Sequence, residues 1–356
     1  MSRAPEGVVA PESDLYVGAP HPRFAGTLIG HALAEDALLS AYRSERLAHA
    51  WLIGGPEGIG KATLAWRFAR FILAQPDPAS ARVQAAQTLS IDPEAPAARQ
   101  VLALSHPDLT VLRRSWNPQS KNFYSDIRIE DVRNALELFR KSAGAGGWRI
   151  CIVDCAEDLN RASANALLKM IEEPPPHSLF LIVAHRPGQV LATIRSRCRR
   201  LSLTGLAPSD ITQIIAGLDK PWAAVAQADL DRAAVRANGS VREALKRIDP
   251  ATSEIGALIE ATIAQLPALD FREIHKLADA VSARGAGDAF DGLMNALYDW
   301  LAAQARGGGQ AARLASIAEV WDKIRAVTRE AEAYNIDKKL HVLSVFAELS
   351  AAARRL

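Results

Sequence analysis

Residues 148–185 read WRICIVDCAEDLNRASANALLKMIEEPPPHSLFLIVAH, two apolar runs with a helix-like stretch between them. Neither RICIV nor SLFLIVA alternates polar with apolar residues, which marks strands buried on both faces. The intervening NRASANALLKMIEE predicts a helix that Asn160 caps and that Pro174, Pro175 and Pro176 stop. Strands alternating with helices in this way predict an α/β fold, a parallel sheet covered on both faces.

The same grammar extends outward. Upstream, AWLIGG predicts a short buried strand ending in glycines, followed by a helix from Lys61 to about Leu73. A helix before it places Leu33, Ala37, Leu38 and Tyr42 on its apolar face. Residues 75–107 read as short helices and loops, DLTVLRR as a strand, and SDIRIEDVRNALELFRKSA as a helix. Ile129, Val132, Leu136 and Phe139 share a face of that helix, Ser125 or Asp126 lies near its start, and GAGG ends it. RRLSLTGL is the last predicted strand. After Pro208 the pattern is helical only, with RGGGQ at 306–310 as a loop. The expected division is an extended arm over 1–26, an α/β core over 27–206, a small helical domain over 207–250 and a helical bundle over 251–356.

Composition narrows the class. Of 356 residues, 49% are hydrophobic and 6% aromatic, and 42 basic against 40 acidic residues give a net charge of +2, which by itself argues for no nucleic-acid partner. No apolar run reaches the roughly 18 to 20 residues of a membrane span, and the first twenty residues lack a signal-peptide core, so a cytoplasmic protein is expected. Cys151, Cys155 and Cys198 form no C-x-x-C pair and read as buried thiols, not disulfides or a zinc site.

Residues 54–61, GGPEGIGK, sit between a strand and a helix, where a phosphate-binding loop belongs. Gly55, Gly58 and Gly60 would let backbone N–H groups turn toward phosphate oxygens, and Lys61 would meet the outer phosphates. The pattern then fails, because Ala62 stands where Ser or Thr would hold Mg²⁺. Thr63 lies about 100° further round the helix. Nucleotide hydrolases with this loop place an Asp at a strand end to organise Mg²⁺, and many add a Glu beside it. Here Asp154 is followed by Cys155, and Glu157 is expected to point elsewhere. Asp154 also reads as a cap for the following turn.

Two other features are local oddities. Glu172 and Glu173 end a helix, where the macrodipole disfavours anions. Arg195, Arg197, Arg199 and Arg200 crowd around Ser196 and Cys198, which reads equally as a generic anion-binding face.

NALLKMIEEPP, TIRSRC about twenty residues later and GSVREAL at 239–245 together resemble the clamp-loader branch of the AAA+ superfamily. With ERLAHAWLIGGPEGIGK and SHPDL, the similarity is to the delta-prime family of bacterial DNA polymerase III clamp loaders, densest from about residue 24 to 247. The resemblance implies an AAA+ core, a helical lid and an all-α collar for oligomerisation, although the last region also reads as a self-contained helical domain. It implies that Arg197, with Ser196 and Cys198 in its motif, is an arginine finger for the ATP of a neighbouring subunit. Gly55, Gly58, Gly60, Lys61, Thr63, Asp154 and Arg242 would be a vestigial nucleotide site. Arg242 matches a second sensor of nucleotide, or makes a surface ion pair.

Departures from the family count as well. Residues 74–110 contain no Cys, so the four-cysteine zinc module of many delta-prime relatives is not expected. The sensor strand ends Ala184-His185-Arg186, and His185 reads as a substitute sensor or as an exposed polar tip. The implied function is a non-hydrolysing stator in a hetero-pentamer with gamma/tau ATPase subunits and a delta subunit. That complex places a sliding clamp on primer-template DNA within a DNA polymerase holoenzyme. No cofactor is required, with ATP or ADP at most bound and not hydrolysed. The alternative is an active gamma/tau-type ATPase, and a freestanding DNA-binding protein has little support.

Overall fold

The computed structural model describes residues 11–16, 18–140, 147–266, 270–283, 287–306, 311–333 and 336–353. Most of the GAGG and RGGGQ loops, and the first ten residues of the expected arm, lie outside them. Five strands form one parallel sheet: β1 (Ala50–Gly54), β2 (Leu109–Leu112), β3 (Arg149–Val153), β4 (Ser178–Ala184) and β5 (Arg199–Ser202). Their spatial order is β2-β3-β4-β1-β5. The chain therefore leaves β1, builds outward-lying strands, and returns to pair β4 and then β5 on either side of β1. Such a reversal opens a crevice at the carboxyl ends of the central strands, where ligands bind in open α/β sheets.

The uninterrupted apolar runs are explained by two-sided burial, since every residue of β1, β3 and β4 is buried. Trp51, Ile53, Ile150, Ile152, Leu181 and Val183 face the helices α1 (Ala32–Arg43) and α2 (Lys61–Ala74). Leu52, Cys151, Val153, Phe180 and Ile182 face α3 (Ile129–Arg140) and α4 (Arg161–Glu172), where Phe139 stacks on Phe180 at 4.8 Å. As expected, Asn160 caps α4, its Oδ1 accepting from the Ala162 and Ser163 amides at 3.0 Å each.

Three details differ from the periodicity. Leu33 on α1 is 89% exposed, while Glu35 is buried and paired at 2.9 Å with Arg67 of α2. A two-stranded hairpin, Trp116–Asn117 with Asn122–Phe123, follows β2; strands of two residues are too short to leave a pattern. The described part of the expected arm is packed, not free. Arg67 and Arg70 of α2 donate to the carbonyls of Gly26 and of Arg23 and Ala25, and Arg113 pairs with Glu12 at 3.0 Å and Asp14 at 2.7 Å.

The helices α5 (Ala192–Arg195), α6 (Pro208–Ala216), α7 (Gln227–Arg236) and α8 (Val241–Ile248) follow. Two compact units result, Met1–Leu245 and Lys246–Leu356. Residues 207–245 fall in the same unit as the sheet, where backbone contacts join them to it: Gly239 lies against Gly205, and the Leu206 amide donates to the Gly239 carbonyl at 3.0 Å. The second unit contains helices over Pro250–Ala264, Phe271–Ser282, Gly287–Arg306, Ala311–Ala333 and Lys338–Ala353, with Leu277, Leu297, Ile324 and Phe346 in its core. No helix among the described residues is long and apolar enough to cross a membrane.

Candidate functional site

The glycine loop lies in the crevice at the end of β1. It is fixed below by the Gly55 amide, which donates to the Ala184 carbonyl at 3.2 Å, and by the Leu203 amide, which donates to Gly54 at 2.8 Å. Gly55, Gly58 and Gly60 all have positive φ, the conformation that glycine tolerates without strain. Above, the loop touches the lid: the Val241 amide, first in α8, donates to the Gly58 carbonyl at 2.9 Å. A Cβ on Gly58 would stand 2.4 Å from Ser240 Oγ and 2.5 Å from Arg242 Cβ, so only glycine permits this approach. Arg242 pairs with Glu57 at 3.1 Å and lies over the Tyr16 ring, which the packed arm brings in. Both readings of Arg242 from sequence therefore leave it at the loop.

Lys61 turns back into its own loop. Its Nζ donates to the Gly55 carbonyl at 2.7 Å and to the Pro56 carbonyl, and the residue is 3% exposed. Burial pushes its amine down to about 8, against the pull of Asp154, Glu57 and Glu157. Ala62 offers only a methyl group, half-buried against the core, where a metal-holding hydroxyl would stand; Thr63, the next residue of α2, is half-buried too.

The ends of β3 and β4 complete the crevice. Asp154 is 8% exposed, and burial together with the Asp14 carboxylate raises its carboxyl to about 7, Lys61 and Arg113 opposing. Burial also raises the Cys155 thiol, so the residue beside Asp154 supplies no base at neutral pH. Glu157, expected to point elsewhere, turns into the site. Its Oε1 accepts from the Arg186 amide at 2.5 Å, and its Oε2 is buried without a partner. His185 is no exposed tip. It is half-buried, its Nδ1 has no partner, and burial and then Lys61 push its imidazole below the ordinary range.

Glu12, Asp14 and His21 bring three metal-ligand atoms within 4.8 Å of one another. Their carboxylates already share the guanidinium groups of Arg23 and Arg113, which makes this cluster the anchor of the arm to β2.

The Ser196-Arg197-Cys198 motif links α5 to β5. Cys198 is buried in the cluster beneath α4, its thiol pushed up to about 12 by burial. Ser196 Oγ donates to the Thr193 carbonyl at 3.0 Å. Arg197 points outward, with its side chain 42% exposed. Its Nη2 pairs with Glu172 Oε1 at 2.8 Å, and its Nη1 donates to the Thr193 carbonyl at 3.2 Å and to Ser196 Oγ at 3.3 Å. The basic cluster is not one patch. Arg195 donates to the carbonyls of Pro187 and Gly188, and Arg199 lies over Trp51. Glu172, for which the resemblance implied no role, is the partner of Arg197; its signal was an acid placed against a helix dipole.

A family model described as DNA polymerase III, delta subunit, matches residues 30–207. The chain is 36% identical over 151 residues to the DNA polymerase III subunit delta' of Pseudomonas aeruginosa, 42% of each chain. It is 27% identical over 273 residues to the subunit tau of Bacillus subtilis, 75% of this chain and 45% of that protein. The chain thus matches less than half the length of these relatives. A solved gamma subunit-related protein from Thermotoga maritima aligns with 89% of this chain and 100% of its own, at 15% identity and a TM-score of 0.41.

Proposed function

The chain belongs to the DNA polymerase III delta-subunit family, clamp-loader subunits of the AAA+ superfamily, and we propose that within it this protein is the non-hydrolysing delta-prime stator. It supplies Arg197 in trans to ATP held by a neighbouring gamma/tau-type subunit. With those subunits and a delta subunit it takes part in placing a sliding clamp on primer-template DNA.

One contrast carries this reading: the loop lysine is shut in and the motif arginine is presented. Lys61 is 3% exposed with its amine spent on its own loop carbonyls, whereas the Arg197 guanidinium lies at the surface. An arginine finger stabilises charge developing on a transferred phosphoryl group and requires no nucleotide in its own subunit. The missing hydroxyl at Ala62 and the missing carboxylate at Cys155 remove two of the parts that hydrolysis needs. ATP or ADP is not required by this role, and no zinc is.

The gamma/tau-type reading has one observation in its favour. The tau relative matches 75% of this chain, where the delta' relative matches 42%. An ATPase assay of the isolated chain separates the two. The stator reading predicts no turnover above background, and turnover that Lys61→Ala abolishes would overturn it.

A further inference from the structure

Glu172 and Arg197 come from separate elements and meet at 2.8 Å. Glu172 is the last residue of α4, and Pro174 follows its C-cap, Glu173. A carboxylate there faces the negative end of the helix dipole, so the helix gains nothing from it. Arg197 follows α5, whose Thr193 carbonyl and the neighbouring Ser196 hydroxyl accept from Nη1 while Glu172 accepts from Nη2. Both terminal nitrogens of the fork are therefore used inside the subunit. A guanidinium grips a phosphate through that same fork. It cannot hold Glu172 and the phosphate along one edge together.

We infer that Glu172 is a latch on Arg197: a carboxylate that occupies the guanidinium edge until phosphate oxygens of the neighbouring subunit's nucleotide replace it. The inference rests on the proposed role of Arg197 as a finger in trans. The pair suits an exchangeable contact, because both side chains are well exposed, at 42% and 39%, and exposed ion pairs are weak. The carboxylate also keeps the arginine from straying toward other anions. In this respect Glu172 is a positioning residue, acting only through Arg197.

The test is the ATPase rate of the reconstituted clamp-loader complex carrying Glu172→Gln, Arg197→Ala or both, with and without clamp and primed DNA. Glutamine keeps the shape and removes the charge, and a thermal melt of each variant checks folding. Glu172→Gln is expected to raise the unstimulated rate about two- to fivefold, the range that loss of an exposed ion pair allows. The fully stimulated rate should stay the same, since the finger has by then left the latch. In the Arg197→Ala background Glu172→Gln should have no effect, which separates a latch from a merely structural role.

Three results would overturn it. An unchanged unstimulated rate, with Arg197→Ala still crippling, removes the latch and leaves the finger. A stimulated rate that falls with Glu172→Gln makes Glu172 part of the engaged site instead. Full activity of Arg197→Ala removes the finger, and the latch with it.

Discussion

Asp154 carries a charge that the fold resists. Its carboxyl ordinarily titrates at 3.8 and is raised to about 7 in the crevice, first by burial and then by Asp14. Between those two values the folded chain keeps a proton that the unfolded chain has released. More protons bound in the folded state means stability falls as pH rises through this window. Asp154→Asn should therefore be more stable than the parent at pH 8, by about 1–3 kcal/mol, with the difference vanishing near pH 4. Urea denaturation at the two pH values checks this, and an equal loss at both would refute it. A hydrolase would keep such a strained carboxylate for its metal. Here its neighbours are Cys155 and the locked Lys61, so no step of the proposed mechanism depends on it.

At the scale of elements, the decisive contact is between the glycine loop and the first turn of α8. The Val241 amide bonds the Gly58 carbonyl, and Gly58 at φ +74° has no room for a side chain against Ser240 and Arg242. Gly58→Ala should lift the loop from the lid and cost about 1–2 kcal/mol for the left-handed backbone alone. The Val241 amide should lose hydrogen-exchange protection in this variant while the amides of β3 keep theirs. Equal protection throughout would show that the loop and lid are not coupled. The strands and most helices were legible in the sequence because buried runs and caps such as Asn160 are local signals. Loop-to-lid docking was not, since Gly58 and Val241 are brought together only by the tertiary fold. For the same reason the sequence did not show that Glu35 is buried or that Glu157 turns into the site: the groups that hold them, Arg67 and the Arg186 amide, are distant in sequence. His185 failed only in its reading as an exposed tip, since it is half-buried.

For the molecule as a whole, the asymmetry lies between two sites on the first unit. The packed arm, the lid and the lysine close the crevice inward, while α4 and α5 hold one arginine outward. The motif around Arg197 was legible as a resemblance, yet nothing local marked what each of the crowded arginines contacts. The structure separates three of the four by partner: loop carbonyls for Arg195, Trp51 for Arg199 and an exposed carboxylate for Arg197. On the proposed reading, the subunit contributes to catalysis only in company. The direct test is the clamp- and DNA-stimulated ATPase of a reconstituted complex in which this subunit alone carries Lys61→Ala or Arg197→Ala. The account predicts that Lys61→Ala leaves the rate unchanged and that Arg197→Ala lowers it by at least about tenfold. A rate lost with Lys61→Ala and kept with Arg197→Ala would contradict it.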